Sequence, residues 1–427
     1  MSNHASLPGF RDFYPADFAV RTHIANAWRE ASIRHAFEEY DGPPLESLEL
    51  YTDKSGEEIT GQLYHFVDKG GRAVALRPEM TPTLARMVGA RAGAMRKPIR
   101  WFSIPQLFRY ERTQRGRLLE HFQWNVDVIG EQDPGADAEV LATALDALGI
   151  LGLGSDAVAA RFSDRRLLET LLLHLGVGRD RLPGAYAAID KLGREPREQI
   201  TRKLRDAGLA PDVAASVLAL FDEPGVDALT ARWGDVDGVR SVLEQLERYR
   251  ACLADMGHGA TILFDLSIVR GLAYYTGTVF EIFDRGGELR AICGGGRYDR
   301  LLASISRADL PAVGFGMGDV VLTELLRERG LLPEYAVRVD DFVIAVGDAQ
   351  RAMQRRVATR LRAAGRRVAY SLAESTVARQ LKDAHAQGAR RAIVIGPTEV
   401  EEDVVVVKEM ASGVERRLPL DTLLAES

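Results

Sequence analysis

The stretch HFQWNVDV, residues 121–128, alternates strictly between polar and apolar side chains. Alternation with a period of two predicts a β-strand with two different faces. The apolar face holds Phe122, Trp124, Val126 and Val128, and the polar face holds His121, Gln123, Asn125 and Asp127. A strand inside a large α/β protein rarely carries a wholly polar face unless water or a polar ligand covers it. We favour a ligand over a merely solvated face, and expect a binding site there.

Length and composition limit the class of protein. A chain of 427 residues is too long for one ordinary core, so two or three domains are expected. Its 46% hydrophobic and 27% charged residues are typical of a soluble globular protein. No apolar run approaches the ~20 residues of a transmembrane helix, so no membrane is expected. The N-terminus lacks the pattern of a signal peptide, and Cys252 and Cys293 form no CxxC pair. We therefore expect a reducing cytoplasm and no zinc site.

Local patterns predict the first elements of the chain. Apolar residues at helical spacing predict a helix from about Asp17 to Ala36. The segment DKGG, residues 68–71, predicts the turn of a β-hairpin between YHFV and AVAL. In RPEMTPTLARM, Thr81 is predicted to be the N-cap of a helix, with Pro82 at its first position.

The middle of the chain changes from strands to helices. Residues 99–130 predict two strands around the polar loop 112–117, with Arg109 and Glu111 on one face of the first strand. From about Ser163 to Gly257 the pattern is rich in Leu, Ala and Arg at helical spacing, with no convincing strand. We expect a helical insertion inside the first domain.

Strands return after the insertion. The segment LRAIC is predicted to be a strand, and the glycines 294–296 that follow predict either a tight turn before a helix or close backbone approach to a ligand. Residues 330–340 are a plausible linker. Beyond them, strand and helix patterns alternate as in a small α/β domain, in which the run VVVV, residues 404–407, would be a buried strand.

Known phosphate-binding loops do not fit this sequence. The segment GFGMGD, residues 314–319, lacks the G-x-G-x-x-G spacing and the Rossmann half that a dinucleotide loop needs, and no GxxxxGK[ST] motif occurs. Phosphate recognition would therefore depend on arginines. Arg270 is notable because it stands in the apolar segment IVRGLAYYTGTVFEIF, where an unpaired guanidinium would cost several kcal/mol. It should have an anionic partner, either a carboxylate of the protein or a ligand.

The candidate site residues are guanidinium groups, carboxylates and polar side chains on predicted strands or at their ends. They are Arg77, Glu79, Thr81, Arg109, Glu111, Gln123, Asn125, Asp127, Arg270 and Tyr275. Guanidinium groups suit phosphate and carboxylates suit an ammonium group, so this combination fits a nucleotide and an amino acid together.

Several segments together resemble a known family. FRYERTQRGR followed by FQWNVDVIG resembles motif 2 of class II aminoacyl-tRNA synthetases, and LRPEMTPTLARM resembles a family segment beginning LRPE. IVRGLAYYTGTVFE and CGGGRYDRLL are similar to the two signature segments of the histidyl-tRNA synthetase family. The resemblance covers nearly the whole chain. It implies an α/β (α+β) fold: a class II antiparallel-sheet catalytic domain over 1–330 with a helical insertion at about 163–257, and an α/β anticodon-binding domain over 338–427.

The resemblance also implies roles for individual residues. Arg270 and Arg109 would be the catalytic arginines at the α-phosphate, Glu111 would hold the adenine end, and Arg117 would reach the pyrophosphate portion of ATP. L-histidine would be bound at its ammonium group by Glu79, Thr81, Gln123 and Asp127, and at its imidazole by Tyr275 and Tyr298. The substrates would be histidine, ATP with Mg²⁺, and tRNA(His), with no metal ion assigned to protein side chains.

The sequence departs from the family pattern at three positions. Motif 3 usually carries an arginine where Val321 or a neighbour stands here, and the ATP tail would then need a substitute, such as Arg86, Arg115 or Arg297. Asp127 stands where glutamate is common, and Ala273 where aspartate is common.

Two alternatives remain beside the synthetase interpretation. One is a non-catalytic regulatory subunit of ATP phosphoribosyltransferase that kept the fold, and the other is a paralogue that adenylates a different small substrate. The missing motif 3 arginine favours a regulator, whereas the motif 2 arginines, RGLAYYTG and the C-terminal domain favour the enzyme. The family further implies a homodimer formed through motif 1, here the helix from Asp17 and the strand near Pro43.

Overall fold

The structure is a computed structural model that describes residues 5–52, 61–112, 114–193, 195–222, 225–269, 274–287, 289–306, 308–335 and 339–425. The chain divides into two compact units, Met1–Pro333 and Glu334–Ser427. Each unit has hydrophobic clusters of its own. None of the helices in the described ranges combines the length and apolarity that crossing a membrane would require.

A nine-stranded, mostly antiparallel sheet forms the first unit. Its strands are β1 (Glu38–Glu39), β5 (Ile99–Ser103), β6 (Gln106–Phe108), β7 (Glu120–Ile129), β8 (Val158–Asp164), β9 (Ile262–Phe264), β10 (Thr278–Asp284), β11 (Cys293–Arg297) and β12 (Ala312–Gly318). They stand in the order β1-β5-β7-β12-β11-β10-β8-β9, with β6 paired to β7 beside this path. Parallel pairs occur at the two ends, β1 with β5 and β8 with β9. This mixed architecture confirms the predicted fold class.

A small antiparallel sheet lies between β1 and β5 of the main sheet in chain order. Its strands are β2 (Leu45–Ser47), β3 (His65–Val67) and β4 (Ala73–Leu76), in the order β2-β4-β3. The hairpin predicted around residues 68–71 is confirmed: the Asp68 carboxylate accepts from the Gly70 backbone N–H at 2.8 Å, and Gly71 adopts φ +78°.

The helix that follows the hairpin, Thr81–Arg91, begins one residue earlier than predicted. Its N-cap is Met80, and no side chain caps the helix. The prediction of Thr81 as the N-cap is therefore wrong, and Pro82 stands at the second helical position rather than the first.

The helices of the first unit are α1 (Pro15–Arg34), α2 (Glu49–Thr52), α3 (Thr81–Arg91), α4 (Pro134–Ile150), α5 (Arg165–His174), α6 (Leu182–Ile189), α7 (Arg197–Asp206), α8 (Pro211–Ala219), α9 (Val226–Trp233), α10 (Val239–Asp255), α11 (Leu301–Ile305) and α12 (Asp319–Glu328). Helices α5 to α10 follow one another between β8 and β9, and the described residues of that stretch hold no strand. They connect two parallel neighbours of the sheet, which requires a crossover rather than a tight turn.

The alternation predicted for residues 121–128 is confirmed by β7. Its apolar face lies against α1 and the core, where Trp124 stacks on Trp28 with ring centroids 5.9 Å apart. The Trp124 indole N–H donates to the hydroxyl of Ser32 at 3.0 Å, so the ring is buried without losing its hydrogen bond. Burying such large side chains contributes roughly 1.5–3 kcal/mol each and fixes which face of β7 points away from the core.

Of the two alternatives for the glycine run, the tight turn before a helix is wrong. Residues 294–296 lie in the middle of β11, not in a turn, and LRAIC contributes only Cys293 to that strand. The reason is steric. A Cβ at Gly295 would lie 2.4 Å from the Gly314 carbonyl oxygen, and one at Gly296 would lie 2.5 Å from the Thr278 carbonyl oxygen. The neighbouring strands β10 and β12 therefore approach β11 more closely than side chains would allow.

The second unit is built on a five-stranded sheet in the order β14-β13-β15-β16-β17. Its strands are β13 (Asp341–Ala345), β14 (Val368–Tyr370), β15 (Arg391–Ile395), β16 (Val404–Glu409) and β17 (Glu415–Pro419), and its helices are α13 (Arg351–Ala363), α14 (Val377–Ala386), α15 (Pro397–Glu401) and α16 (Leu420–Ala425). The first three strands are parallel and the last two antiparallel. The prediction of a fully buried four-valine strand is wrong, since Val405 and Val407 are buried while Val404 and Val406 are partly exposed. Only one face of that strand is fully covered.

Candidate active site

A small polar pocket lies over the polar face of β7. It has a volume of about 70 Å³, and the six residues predicted to bind histidine line it together with Arg109: Glu79, Thr81, Gln123, Asp127, Tyr275 and Tyr298. Glu79 lies just before α3 and Thr81 begins that helix, whereas Gln123 and Asp127 belong to β7. Tyr275 comes shortly before β10, and Tyr298 directly follows β11. The structure thus brings together residues that are far apart in the sequence.

Glycines of β12 make room for this pocket. A Cβ at Gly314 would lie 2.0 Å from the Asp127 carboxylate, and a Cβ at Gly316 would lie 2.7 Å from the Gln123 side chain. The polar side chains of β7 can lie across the neighbouring strand only because these two positions lack side chains. The segment GFGMG is therefore a strand that accommodates a site, rather than a phosphate loop.

Glu79 is a buried carboxylate at one wall of the pocket, with 5% of its surface exposed. Its Oε2 accepts a hydrogen bond from the Tyr274 hydroxyl at 3.2 Å, while its Oε1 is buried and has no hydrogen-bond partner among the described residues. Burial raises the pKa of Glu79, and the charge of Arg109 opposes that rise. An unsatisfied buried carboxylate oxygen is costly, so a cationic donor in the pocket would relieve a substantial penalty.

Asp127 forms the opposite wall and is 5% exposed. Its carboxylate accepts a hydrogen bond from the hydroxyl of Tyr298, which is itself buried. Burial raises the pKa of Asp127 to about 7, although the Tyr298 hydrogen bond favours the ionised form. Asp127 can therefore gain or lose a proton near neutral pH.

Tyr274 was missed by the sequence analysis. Its ring lies 5.1 Å from that of Tyr275 and 5.9 Å from that of Tyr298, measured between centroids, and its hydroxyl reaches Glu79. The dipeptide Tyr274 and Tyr275 was visible in the sequence, but nothing in it told which ring faces the pocket. Both line it.

A larger cavity of about 350 Å³ adjoins the small pocket and shares Arg109 and Gln123 with it. Glu111 and Arg117 line this cavity and form an ion pair with each other. Arg109 donates to the Pro78 carbonyl oxygen at 2.9 Å and keeps about a third of its side chain exposed. Arg109 and Glu111 follow β6 without forming a strand, so the prediction that they share a strand face is wrong. Their charged atoms nevertheless lie 3.9 Å apart.

His121 also lines the larger cavity, and the sequence analysis assigned no role to it. It is partly buried near three arginines, and burial together with the charges of Arg109, Arg11 and Arg117 lowers its pKa to about 3. The imidazole is therefore neutral at physiological pH. Its place on the polar face of β7 was the signal that could have identified it.

Arg270 lies outside the described residues, as does Ala273. The question of which anion Arg270 meets is therefore left to experiment.

The three arginines considered as substitutes for a motif 3 arginine are engaged elsewhere. Arg86 donates to Glu46 at 2.7 Å, and Arg115 pairs with Glu324 at 3.3 Å. Arg297 is buried against Asp137, and also donates to the Glu131 carbonyl oxygen. None of the three lines the larger cavity, whereas Val321 does. Arg297 is held in a structural contact and does not fit the predicted role.

Comparisons with known proteins identify a family and agree with the fold. Residues 9–319 match a family model described as histidyl-tRNA synthetase, and residues 341–426 match one described as an anticodon binding domain. The chain is 42% identical to a histidine–tRNA ligase of Opitutus terrae over 438 residues, covering 100% of this chain and 98% of the relative. It is 40% identical to a chloroplastic/mitochondrial histidine–tRNA ligase of Arabidopsis thaliana over 415 residues, covering 97% and 85%.

A solved structure shows the same fold. The crystal structure of histidyl-tRNA synthetase from Nostoc sp. PCC 7120 matches with a TM-score of 0.82 at 22% identity, covering 100% of this chain and 99% of the other.

The antiparallel sheet with a polar pocket on its face defines a class II aminoacyl-tRNA synthetase, which is a ligase. Within that class, the chain belongs to the histidyl-tRNA synthetase family. The predicted family is thereby confirmed. The alternative of a regulatory subunit is not favoured, because the curated relatives described above are ligases.

Proposed function

We propose that the protein joins L-histidine to tRNA(His) in two steps at these two adjoining pockets. The carboxylate of histidine attacks the α-phosphorus of ATP, which forms histidyl-adenylate and releases pyrophosphate. A ribose hydroxyl at the 3′ end of the tRNA then attacks the adenylate carbonyl and releases AMP. Such chemistry depends mainly on positioning and on neutralisation of charge. The observation that supports it most is the buried Glu79 oxygen, which lacks a partner within the described residues and faces a pocket that adjoins an arginine-lined cavity.

The small pocket would bind the ammonium group of histidine. Glu79, Thr81, Gln123 and Asp127 supply oxygen atoms that accept hydrogen bonds, as three N–H donors of an ammonium group require. The bound cation would restore the ionised form of Glu79, whose pKa is raised in the empty pocket. The Tyr274 hydroxyl holds one oxygen of that carboxylate and leaves the other for the substrate.

The imidazole of histidine would lie beside Tyr275 and Tyr298. Rings of similar shape that lack nitrogen could not hydrogen-bond with the polar groups around them, which costs more than the loss of an apolar contact. This physical difference supports selection of histidine over apolar isosteres.

The larger cavity would hold ATP. Arg109 lies where the two pockets meet, so its guanidinium is suited to the α-phosphate at the point of reaction. Arg117 would exchange its ion pair with Glu111 for the pyrophosphate portion, leaving Glu111 for the adenine end. The role of Arg270 beside the carboxylate and the α-phosphate rests on the family resemblance alone.

Mg²⁺ would accompany ATP. The described residues contain no group of three or more His, Cys, Asp or Glu side chains arranged to hold a metal ion. Mg²⁺ at a nucleotide site is usually bound by phosphates and water, with at most one or two carboxylates from the protein. The ion would supply further neutralisation of the phosphate charge.

The tRNA would contact both units of the chain. The loop 112–117, with its arginines, would meet the acceptor end, and the second unit would meet the anticodon. A homodimer formed through α1 is supported by apolar side chains that are exposed near the start of the chain, such as Leu7, Tyr14 and Ile33. The low cysteine content, two residues that form no CxxC pair, supports a cytoplasmic location.

The test is exchange of labelled pyrophosphate into ATP, measured without tRNA and with each amino acid in turn. Exchange that requires histidine is the expected result. Folded protein that shows no exchange with histidine and Mg²⁺ present, or that prefers another amino acid, would contradict the proposal and return attention to the paralogue alternative.

A further inference from the structure

Two guanidinium groups line the larger cavity among its described residues, those of Arg109 and Arg117. Arg109 is held where the two pockets meet by the Pro78 carbonyl oxygen. Arg117 belongs to the loop 112–117, and the neighbouring helix α12 presents Val321 to the cavity rather than a cation. Neutralisation of a phosphate tail in this cavity therefore depends on how the loop is held.

Residues 114–117 form a tight turn that lies against the start of α12. The Gln114 backbone N–H donates to the Arg117 carbonyl oxygen at 3.1 Å, and the Arg117 backbone N–H donates to the Gln114 carbonyl oxygen at 2.9 Å. Gly116 adopts φ +74°, and a Cβ at that position would lie 3.2 Å from Cγ2 of Val321. The turn is therefore packed directly on the helix, at the wall of the cavity.

Arg115 fastens this turn to α12 by two ion pairs. Its Nε lies 3.3 Å from Glu324 Oε2, and its Nη2 donates to Glu328 Oε1 at 2.5 Å. The two glutamates are four residues apart, so they lie on one face of the helix and repel each other. One guanidinium between them offsets both charges, and the rigid fork of an arginine suits such a bridge better than a lysine ammonium group does.

A second arginine holds the same turn from a different element. Arg290, shortly before β11, donates from Nη2 to the side-chain oxygen of Gln114 at 2.8 Å. Arg290 and Arg115 are both exposed, and exposed ion pairs and hydrogen bonds are individually weak. We therefore expect these contacts to determine where the turn lies, and to contribute little to the stability of the fold.

We propose that Arg115 is a positioning residue for ATP. Its ion pairs with Glu324 and Glu328 fix the turn 114–117 on α12, so that Arg117 faces the phosphates beyond the α-phosphate. The loop thereby supplies the cation that α12 does not present among the described residues of the cavity wall. Arg115 does not line the cavity and acts through the turn. The inference rests on the proposed binding of ATP in the larger cavity, and goes beyond it by assigning roles to these three residues.

The glutamates distinguish positioning from a direct effect of the Arg115 charge on ATP. If Arg115 attracted the phosphates directly, loss of the two nearby carboxylates would free it and strengthen ATP binding. If Arg115 acts through the glutamates, their loss should weaken ATP binding as much as loss of the arginine does. Arg115→Ala and the double variant Glu324→Gln/Glu328→Gln should each raise the KM for ATP about threefold to tenfold, as expected for loss of two exposed ion pairs. The KM for histidine should stay within about twofold.

Three further variants complete the test. The triple variant that combines Arg115→Ala with both glutamine substitutions should show no additional loss, because the residues act as one unit. Arg115→Lys keeps the charge without the fork and should recover part of the ATP binding. Arg179→Ala is the matched control, since it breaks an exposed ion pair with Glu169 at 3.3 Å in the helical insertion, away from the cavity lining. It should leave both KM values unchanged.

Pyrophosphate exchange at varied ATP and histidine concentrations gives the KM values, and titration calorimetry gives the dissociation constant of Mg²⁺-ATP without the amino acid. Unchanged or tighter ATP binding in the double glutamine variant would overturn the inference, as would equal rises in the two KM values. A wild type that binds ATP but shows no histidine-dependent exchange would contradict the proposed function alone, and the dissociation constants of the variants would still decide the role of Arg115. A wild type that binds no ATP would overturn both.

Discussion

The hydroxyl of Tyr298 donates a hydrogen bond to the carboxylate of Asp127 across the intervening strand β12. Asp127 lies in β7, and Tyr298 directly follows β11. The two residues are 171 positions apart in the chain, and both are buried. They meet directly above Gly314, which pairs with Asp127 in the register of β7 and β12. This contact links the signature segment CGGGRYD to motif 2 and fixes one wall of the pocket proposed to bind histidine.

Replacement of Tyr298 by phenylalanine should weaken histidine binding. The change leaves the ring in place and removes the only donor to Asp127 that the described residues supply. A buried group that loses its partner costs roughly 1–3 kcal/mol, so the KM for histidine should rise about tenfold or more while the KM for ATP stays within about twofold. Pyrophosphate exchange at varied substrate concentrations measures both. An equal rise in the two KM values would indicate general damage rather than a contact to histidine.

Asp127 should make the protein less stable as the pH rises. Its pKa in the folded chain is raised to about 7 from an ordinary value of 3.8, so the folded state holds a proton that the unfolded state releases. The stabilisation is fully present below the unfolded pKa and is lost as the pH rises through the folded pKa. Relative to the wild type, Asp127→Asn should therefore gain stability between about pH 4 and pH 7, and the difference should level off at higher pH. Urea unfolding across that range measures the difference, and a difference that does not change with pH would contradict the account.

An alanine at position 314 should damage the site. Its Cβ would lie 2.0 Å from the Asp127 carboxylate and 2.7 Å from the Val126 carbonyl oxygen, so both the side chain and the backbone of β7 would have to move. We expect a loss of about 1–3 kcal/mol in unfolding free energy and weaker histidine binding.

Gly149→Ala is the control for that variant. Gly149 lies in α4, and a Cβ there would meet nothing within 4 Å. Alanine is preferred over glycine in a helix by roughly 0.5–1 kcal/mol, so this variant should be slightly more stable and fully active. The unfolding free energies of the two variants should therefore shift in opposite directions, and pyrophosphate exchange should fall only in Gly314→Ala. Normal histidine binding by Gly314→Ala would show that β7 does not need the space above that glycine.

The ion pair of Arg297 with Asp137 should be a large structural contribution. Both side chains are less than a tenth exposed, and Arg297 is further bound to the Glu131 carbonyl oxygen. Asp137→Ala would remove the buried partner of this guanidinium and leave it only the partly exposed Asp299 at 3.3 Å, so it should cost about 3 kcal/mol of unfolding free energy. The surface pair of Arg250 with Glu247 offers a contrast. Glu247→Ala should change the unfolding free energy by less than about 1 kcal/mol. Similar losses in the two variants would contradict the distinction between buried and exposed pairs.

The sequence predicted the elements whose pattern depends on one strand or helix alone. The alternation of β7 identified its buried and polar faces correctly, because a strand packed on one side needs that period. The family and the fold class were also identified, from motifs spread over most of the chain.

Features that depend on neighbouring strands were not predicted. A tight turn was one alternative for the glycines of β11, because nothing local reveals that β10 and β12 approach so closely on both sides. Thr81 was taken for an N-cap, although the helix starts at that residue. Tyr274 and His121 were not assigned, because only the folded sheet shows that both adjacent tyrosines line one pocket and that this histidine lines the other.

The measurement that tests the account most directly compares histidine with its analogue 3-(imidazol-4-yl)propanoate, which lacks the ammonium group. The KM for histidine and the inhibition constant of the analogue would be measured by pyrophosphate exchange for the wild type and Glu79→Gln. The control is Glu401→Gln, which makes the same change at an exposed carboxylate of α15. If Glu79 Oε1 receives the ammonium group, Glu79→Gln should raise the KM for histidine roughly tenfold to a hundredfold and leave analogue binding within about twofold. A Glu79→Gln protein that retains the wild-type KM for histidine, or that loses the analogue to the same extent, would contradict the central claim.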